Sequence, residues 1–247
     1  MDKFLYVAMT GARENMKAQQ VHSNNLANVN TTGFKADLEQ ARSMRVIGEG
    51  LESRVYSMGE RPGTNTESGT LFQTDRSLDV AIDGEGWIAV LDQEGQEAYT
   101  RSGSLQVLST GELVTSNGNP VMGANGAPIV LPPSSKVNVA NDGTITVFAI
   151  GDPATEPAVI DRIKLVTLEK GSFFKGLNGM MVKDDGLIAD QNIDVRLRSG
   201  YLETSNVNAI NELTSIISLS KQFEMQIKMM KTAEEISSSG SSILRMS

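Results

Sequence analysis

The chain has 247 residues, 39% of them apolar, a formal charge of −8 and no cysteine. That length allows one large domain or two with a modest core, and the missing cysteines remove disulfides and thiolate metal sites from consideration. The acidic balance, with no basic run in any window, speaks against a nucleic-acid partner, and no stretch reaches the roughly 18 apolar residues of a membrane span.

The first predicted element is a helix over residues 4–27, on which Leu5, Met9, Ala12, Met16, Ser23 and Leu26 recur at spacings of three and four. Its apolar start, Phe4 to Met9, is too short for the core of a signal peptide, so export by a cleaved signal is not expected. His22, the only histidine, lies on this helix and reads as an interface or surface residue. The helix runs into SNNLANVNTTG, in which four asparagines, two threonines and one glycine fall within eleven positions. Asparagine side chains imitate backbone turns and Gly33 can take a positive φ, so the helix ends here and Phe34 supplies an apolar anchor after the bend. Asn28 and Asn30 are turn residues in this reading.

Residues 38–70 are the least regular part of the chain, with glycines and Pro62 spread among charges. They read as an extended arm in which Val46, Leu51, Val55 and Met58 make short strand contacts. Both a surface excursion and a bridge to another subunit fit that composition. From residue 71 to about 200 short apolar runs alternate with turns, an all-β pattern. Strands are predicted at 78–82, 86–91, 97–100, 104–107, 112–115, 128–131, 136–139, 144–149, 162–168 and 180–183. Hairpin turns are expected at Asn141-Asp142-Gly143 and Asp184-Asp185-Gly186. Trp87, the only tryptophan, reads as a core anchor, with ligand stacking as its rival role.

The last predicted element is a helix from Val207 to Ser239, uninterrupted by Gly or Pro and about 50 Å long at 1.5 Å per residue. Counting three and four alternately from Leu213 gives Ile216, Ser220, Phe223, Ile227 and Met230, and a second strip of Ile210, Ile217, Met225 and Met229 widens the apolar face. The expected fold is therefore mixed. Long N- and C-terminal helices, residues 1–37 and 201–247, pair as a coiled-coil-like assembly domain, the arm spans 38–70, and a central all-β domain spans 71–200. Periodicity alone reports burial, so an ordinary helix pair and a surface completed by neighbouring chains both remain open.

Chemistry is hard to find. His22 has no partner acid in a catalytic spacing, and Gly84-Glu85-Gly86 is half of a dinucleotide fingerprint that is followed by a strand where a helix is needed, so it reads as a hairpin turn. Asp79, Asp83 and Glu85 lack the spacing of a calcium loop. No catalytic, cofactor-binding or metal-ligating residue is predicted, and no small-molecule substrate.

Six blocks taken together resemble a known family. LANVNTTGFKAD at 26–37, LDVAIDGEGWIAV at 78–90, YTRSGSLQV at 99–107, GELVTSNGNPVMG at 111–123, LETSNVNAI at 202–210 and QFEMQIKMMK at 222–231 are similar, in this order, to the flagellar rod and hook proteins. The resemblance implies a structural subunit of the basal-body rod that polymerises helically into the torque-transmitting shaft, most like a proximal-rod subunit, with the distal rod as the alternative and an enzyme or carbohydrate-binding β domain as a remote one. It also implies copies of itself and other axial proteins as partners, passage through the flagellar type III export apparatus, and a periplasmic location in the basal body. The positions it marks for assembly are Asn25, Leu26, Ala27, Asn28, Gly33 and Phe34 at the first bend and Leu202, Glu203, Ser205, Asn206 and Val207 at the start of the last helix. The helix seams add Leu5, Met9, Ala12, Met16, Ile210, Leu213, Ile216, Ile217, Phe223, Ile227 and Met230.

Overall fold

A computed structural model describes residues 2–45, 55–60, 63–149, 157–169, 171–176 and 178–245. The strand positions Val46 and Leu51 lie outside the described residues. The chain forms two units: residues 1–28, 36–65 and 207–247 make one, and residues 29–35 and 66–206 the other.

The first unit contains α1 (Asp2–Ala27), β1 (Asp37–Leu38), β2 (Ala41–Arg45), β3 (Val55–Gly59), β4 (Gly63–Thr64) and α2 (Ala209–Arg245). Asn208 caps α2, its side-chain oxygen accepting from the amides of Ile210 and Asn211 at 3.0 and 3.3 Å. Gly11 of α1 faces Gln226 and His22 bonds Glu212, so the two helices run antiparallel. β2 and β3 form an antiparallel hairpin in register from Ala41 opposite Gly59 to Arg45 opposite Val55, and β1 pairs with β4.

The expected coiled-coil-like pairing of two long helices does not form. α1 has 26 residues against 37 in α2, and it packs on β3 and β1 as well as on α2. The apolar side chains buried on the described helix surfaces are Ala8, Ala12 and Ala233, while Met9, Met16 and Leu213 stay exposed and Ile216, Phe223, Ile227 and Met230 are only half-buried. The reason is bulk: small residues let the helices approach closely along a narrow line, and a seam built on alanine has no large knobs to fill the holes a coiled coil requires.

The second unit is the expected β domain. Its strands are β5 (Leu71–Gln73), β6 (Val80–Asp83), β7 (Trp87–Leu91), β8 (Glu97–Thr100), β9 (Leu105–Val107), β10 (Leu113–Thr115), β11 (Ser134–Val139), β12 (Thr144–Ala149), β13 (Ala158–Arg162), β14 (Leu165–Val166), β15 (Phe173–Lys175), β16 (Met181–Lys183), β17 (Arg196–Ser199) and β18 (Tyr201–Glu203). Its largest sheet has the order β14-β7-β8-β16-β15, and a three-stranded sheet has the order β11-β12-β13. β7 explains the unbroken apolar run at 87–91. Ile88 and Val90 enter one core with Leu105, Leu113, Ile145 and Ile163, while Trp87 and Ala89 enter a second with Tyr99, Met122, Val166 and Met181. A strand buried on both faces has no polar side to alternate.

Several expected details change. Residues 128–131 are no strand and contribute only isolated bridges, Pro128 to Met122 and Val130 to Glu112. Gly84-Glu85-Gly86 is not a hairpin, because β6 pairs with β17 while β7 pairs with β14 and β8. Residues 184–186 turn into a loop and not into a strand, whereas the 141–143 turn does join the paired β11 and β12, with Gly143 at φ +86. Leu113 is fully buried in the larger core, so Leu113→Ala should lower the unfolding free energy of the second unit by about 2–5 kcal/mol in urea titration, whereas Ile236→Ala on the exposed face of α2 should change it by less than about 0.5 kcal/mol.

Candidate assembly site

Within the second unit, three separate lengths of chain are tied by one buried carboxylate. Glu203, at the end of β18, is 1% exposed. Its Oε1 accepts from Lys35 Nζ at 2.7 Å and from the Gly69 amide at 2.8 Å, and its Oε2 accepts from Arg101 at 3.0 Å. Both cations are buried, and each has a second tie: Lys35 donates to the Glu67 carbonyl at 2.7 Å and Arg101 to the Gly84 carbonyl at 2.8 Å. Trp87 braces the group from below, its ring 5.4 Å from the Arg101 guanidinium carbon and edge-on to Phe173. It is a core anchor.

The glycine of the NTTGF block belongs to the same assembly. Gly33 donates its amide to the Glu203 carbonyl at 2.9 Å and sits at φ +69, and a Cβ there would overlap the backbone of Arg101 and Ser102. Only glycine satisfies both conditions. Phe34 lies beneath Lys175, whose Nζ is 3.8 Å from the ring centroid and donates to the Lys35 carbonyl at 2.8 Å. Asn206 closes the group, donating its amide to the Phe34 carbonyl and its side chain to the Glu67 carbonyl. Burial outweighs the neighbouring Glu203 charge at Lys35 and, with Arg101 adding its repulsion, holds the ammonium pKa below the usual lysine range.

In the first unit Asn25 does comparable work on the backbone. It is buried at 1% exposure, donates Nδ2 to the Asp37 carbonyl and accepts the Asp37 amide at its Oδ1, each at 2.9 Å. One side-chain amide thus completes both hydrogen bonds of a β1 residue as a neighbouring strand would. Asn28 sits at the end of α1, donating Nδ2 to the Asn24 carbonyl at 2.9 Å. Leu5, Leu26 and Val207 are half-buried. The remaining helix positions divide sharply. Ile210 is 74% exposed, and Ile217, Met225 and Met229 on α2 and Tyr6, Met9 and Met16 on α1 are exposed too.

Lys35, Arg101 and Lys175 escape a reading of the sequence, and so does the burial of Glu203. A lone charge inside an apolar block has the composition of a solvated edge, and nothing in a single sequence announces that three such charges, at positions 35, 101 and 203, converge. Tyr99 by contrast lies in the strand predicted at 97–100 and observed as β8. Among the described residues no group of acidic, histidine or cysteine side chains could hold a metal ion, and no helix is long and apolar enough to cross a membrane.

Comparison with known proteins supplies the context. Three family profiles match in succession: "Flagella basal body rod protein" over residues 5–35, "Flagellar hook protein FlgE/F/G D1 domain" over 81–147, and "Flagellar basal body rod FlgEFG protein C-terminal" over 198–243. The chain is 36% identical over 253 aligned residues to the flagellar basal-body rod protein FlgF of Escherichia coli K12, covering 100% of both chains, and equally so to that of Salmonella typhimurium. It is 33% identical to the rod protein FlgG of Buchnera aphidicola, covering 94% of this chain and 96% of the relative. The chain belongs to the flagellar basal-body rod protein family. It is a structural rod subunit, FlgF-like, of the flagellar basal body. The ion group takes one residue from each matched segment: Lys35 from the first, Arg101 from the second, Glu203 from the third.

Removing the single anion strands two buried cations, so Glu203→Gln should destabilise the second unit by about 3–5 kcal/mol. Lys35→Met leaves the Arg101–Glu203 pair intact and removes a poorly solvated ammonium, so its cost should be clearly smaller. Urea unfolding of the two variants, followed by Trp87 fluorescence, checks the order.

Proposed function

We propose that this rod subunit belongs to the proximal part of the rod and that it polymerises through the faces of α1 and α2 that its own fold leaves uncovered. The observation that carries this is the exposed apolar surface of the first unit: Ile210, Leu213, Ile217, Met225 and Met229 on one helix, and Met9 and Met16 on the other. Burying one such side chain contributes roughly 1.5–3 kcal/mol, and a helical polymer multiplies that contribution along its length. The bend residues Asn25, Leu26, Asn28, Gly33 and Phe34, and Asn206 and Val207 before α2, serve assembly by shaping the two units. Ala12, Leu5, Ile216, Phe223, Ile227 and Met230 shape the helix surfaces from which contacts are made.

The partners in this reading are copies of the chain and other axial proteins of the rod, and delivery is through the flagellar type III export apparatus, without a cleaved signal, into the periplasmic part of the basal body. The chain acts by contact and carries out no chemistry. Full-length likeness to FlgF proteins supports the proximal position, and the 33% identity to a FlgG protein keeps a distal position as the second reading.

Electron microscopy of basal bodies from cells lacking the chain separates the two. A shaft that stops near the inner membrane supports the proximal reading, one that stops further out supports the distal reading, and complete basal bodies with normal swimming overturn both. Leu213→Glu combined with Ile217→Glu should abolish complementation of motility while leaving the urea unfolding of the second unit unchanged.

A further inference from the structure

The first unit holds a separate cluster of ionisable groups where the arm meets α1. Glu14 on α1 is 4% exposed, and Glu39, in the link between β1 and β2, faces the same spot. A Cβ at Gly59, the last residue of β3, would stand 2.5 Å from Glu14 Oε2 and 3.8 Å from Glu39 Oε1. Both carboxyl groups therefore converge on the bare backbone of Gly59. Glu39 Oε2 is buried and has no hydrogen-bond partner.

The charges around the pair come from every neighbouring element. On α1, Lys17 reaches Glu14 at 3.2 Å and Arg13 at 3.4 Å, both from largely exposed positions, and His22 is drawn instead to Glu212 of α2 at 2.5 Å. β1 brings Asp37, whose backbone Asn25 holds. At the base of the hairpin Arg42 is paired with Glu60 at 3.1 Å and is 77% exposed. No cation reaches Glu39 directly among the described contacts. Two carboxyl groups sharing one partly buried site repel when both are ionised, and a proton held by one relieves the repulsion. Burial and the Glu14 charge raise the Glu39 carboxyl above its ordinary value, and the weaker pull of His22 and Lys17 does not reverse this.

We propose that Glu14 and Glu39 form a proton-operated latch between α1 and the arm: one proton held by the pair closes β2 and β3 onto the helix, and its loss loosens them. The folded state keeps this proton to a higher pH than the unfolded chain does. The latch is therefore fully closed below the ordinary glutamate value of 4.5 and opens as the pH rises through the raised value. Gly59 is the seat of the device, because any side chain there would enter the space the two carboxyl groups occupy.

The Glu60 amide, which donates to the Gln40 carbonyl at 2.9 Å beside the pair, reports the state of the latch. Hydrogen exchange of the full chain, corrected for the intrinsic pH dependence, should show protection of this amide and of the strand pairs Ala41 with Gly59 and Ser43 with Ser57 falling about three- to tenfold as the pH is raised from the ordinary glutamate value of 4.5 through the raised one. Glu39→Gln and Glu14→Gln should each leave that protection high and flat with pH, whereas His22→Gln should retain the fall. Exchange of the α1 amides around Ala8 and Ala12, in the same unit but away from the pair, serves as the check that each variant is folded. Persistence of the pH dependence in both glutamine variants, or its absence in the unaltered chain, overturns the latch.

Discussion

The charge balance around Glu203 is the constraint on which the second unit depends. Two buried cations meet one buried anion, so the group depends above all on that anion, and every member comes from a different length of chain. The backbone enforces the arrangement as strongly as the charges do. Gly33 can donate to the Glu203 carbonyl only because it has no side chain to collide with residue 101, and Gly69 reaches Oε1 by its amide. A buried ion group of this kind contributes little net stability over an apolar core, but loss of its single anion leaves two buried cations without their partner. That property suits a position where residues near 35, 101 and 203 must be brought together in one way only.

Packing elsewhere in the unit follows a simpler rule. β7 and β8 are covered on both faces, so their side chains divide between two cores, and the polar groups trapped with them must find partners inside. Tyr99 accepts the Ala189 amide at 2.8 Å, and burial pushes its phenol pKa upward, which keeps the hydroxyl neutral. Lys164 is buried too and holds both oxygens of Glu97 at 2.8 and 2.9 Å. Tyr99 and Lys164 are thereby satisfied by specific neighbours and not by solvent.

The first unit obeys a different economy of contacts. Its helices touch along a line of alanines and glycine, which permits close approach but removes little apolar area from water. Of the large apolar side chains, Ile210, Leu213, Ile217, Met225, Met229, Met9 and Met16 stay exposed, and Ile216, Phe223, Ile227 and Met230 are only half-buried. In the proposed assembly, surface left exposed by the monomer is the surface available to a polymer.

The β domain and the presence of a helix at each end were legible in the sequence because both rest on local periodicity, with turn residues such as Asp142-Gly143 marking strand limits, whereas the Asn208 cap was not. The family was legible as well, since ordered blocks with glycine and asparagine at fixed positions are written directly in the chain. Pairing was not. Whether Leu213 faces a partner or solvent depends on how α2 is turned against α1, which periodicity leaves open: Ile216, Phe223, Ile227 and Met230 are half-buried, while Leu213 and Ile217 stay exposed. The meeting of Lys35, Arg101 and Glu203, and that of Glu14 with Glu39 over Gly59, were likewise decided by tertiary structure alone. Charges are attracted or repelled through space, and sequence separation carries no record of the distance between them.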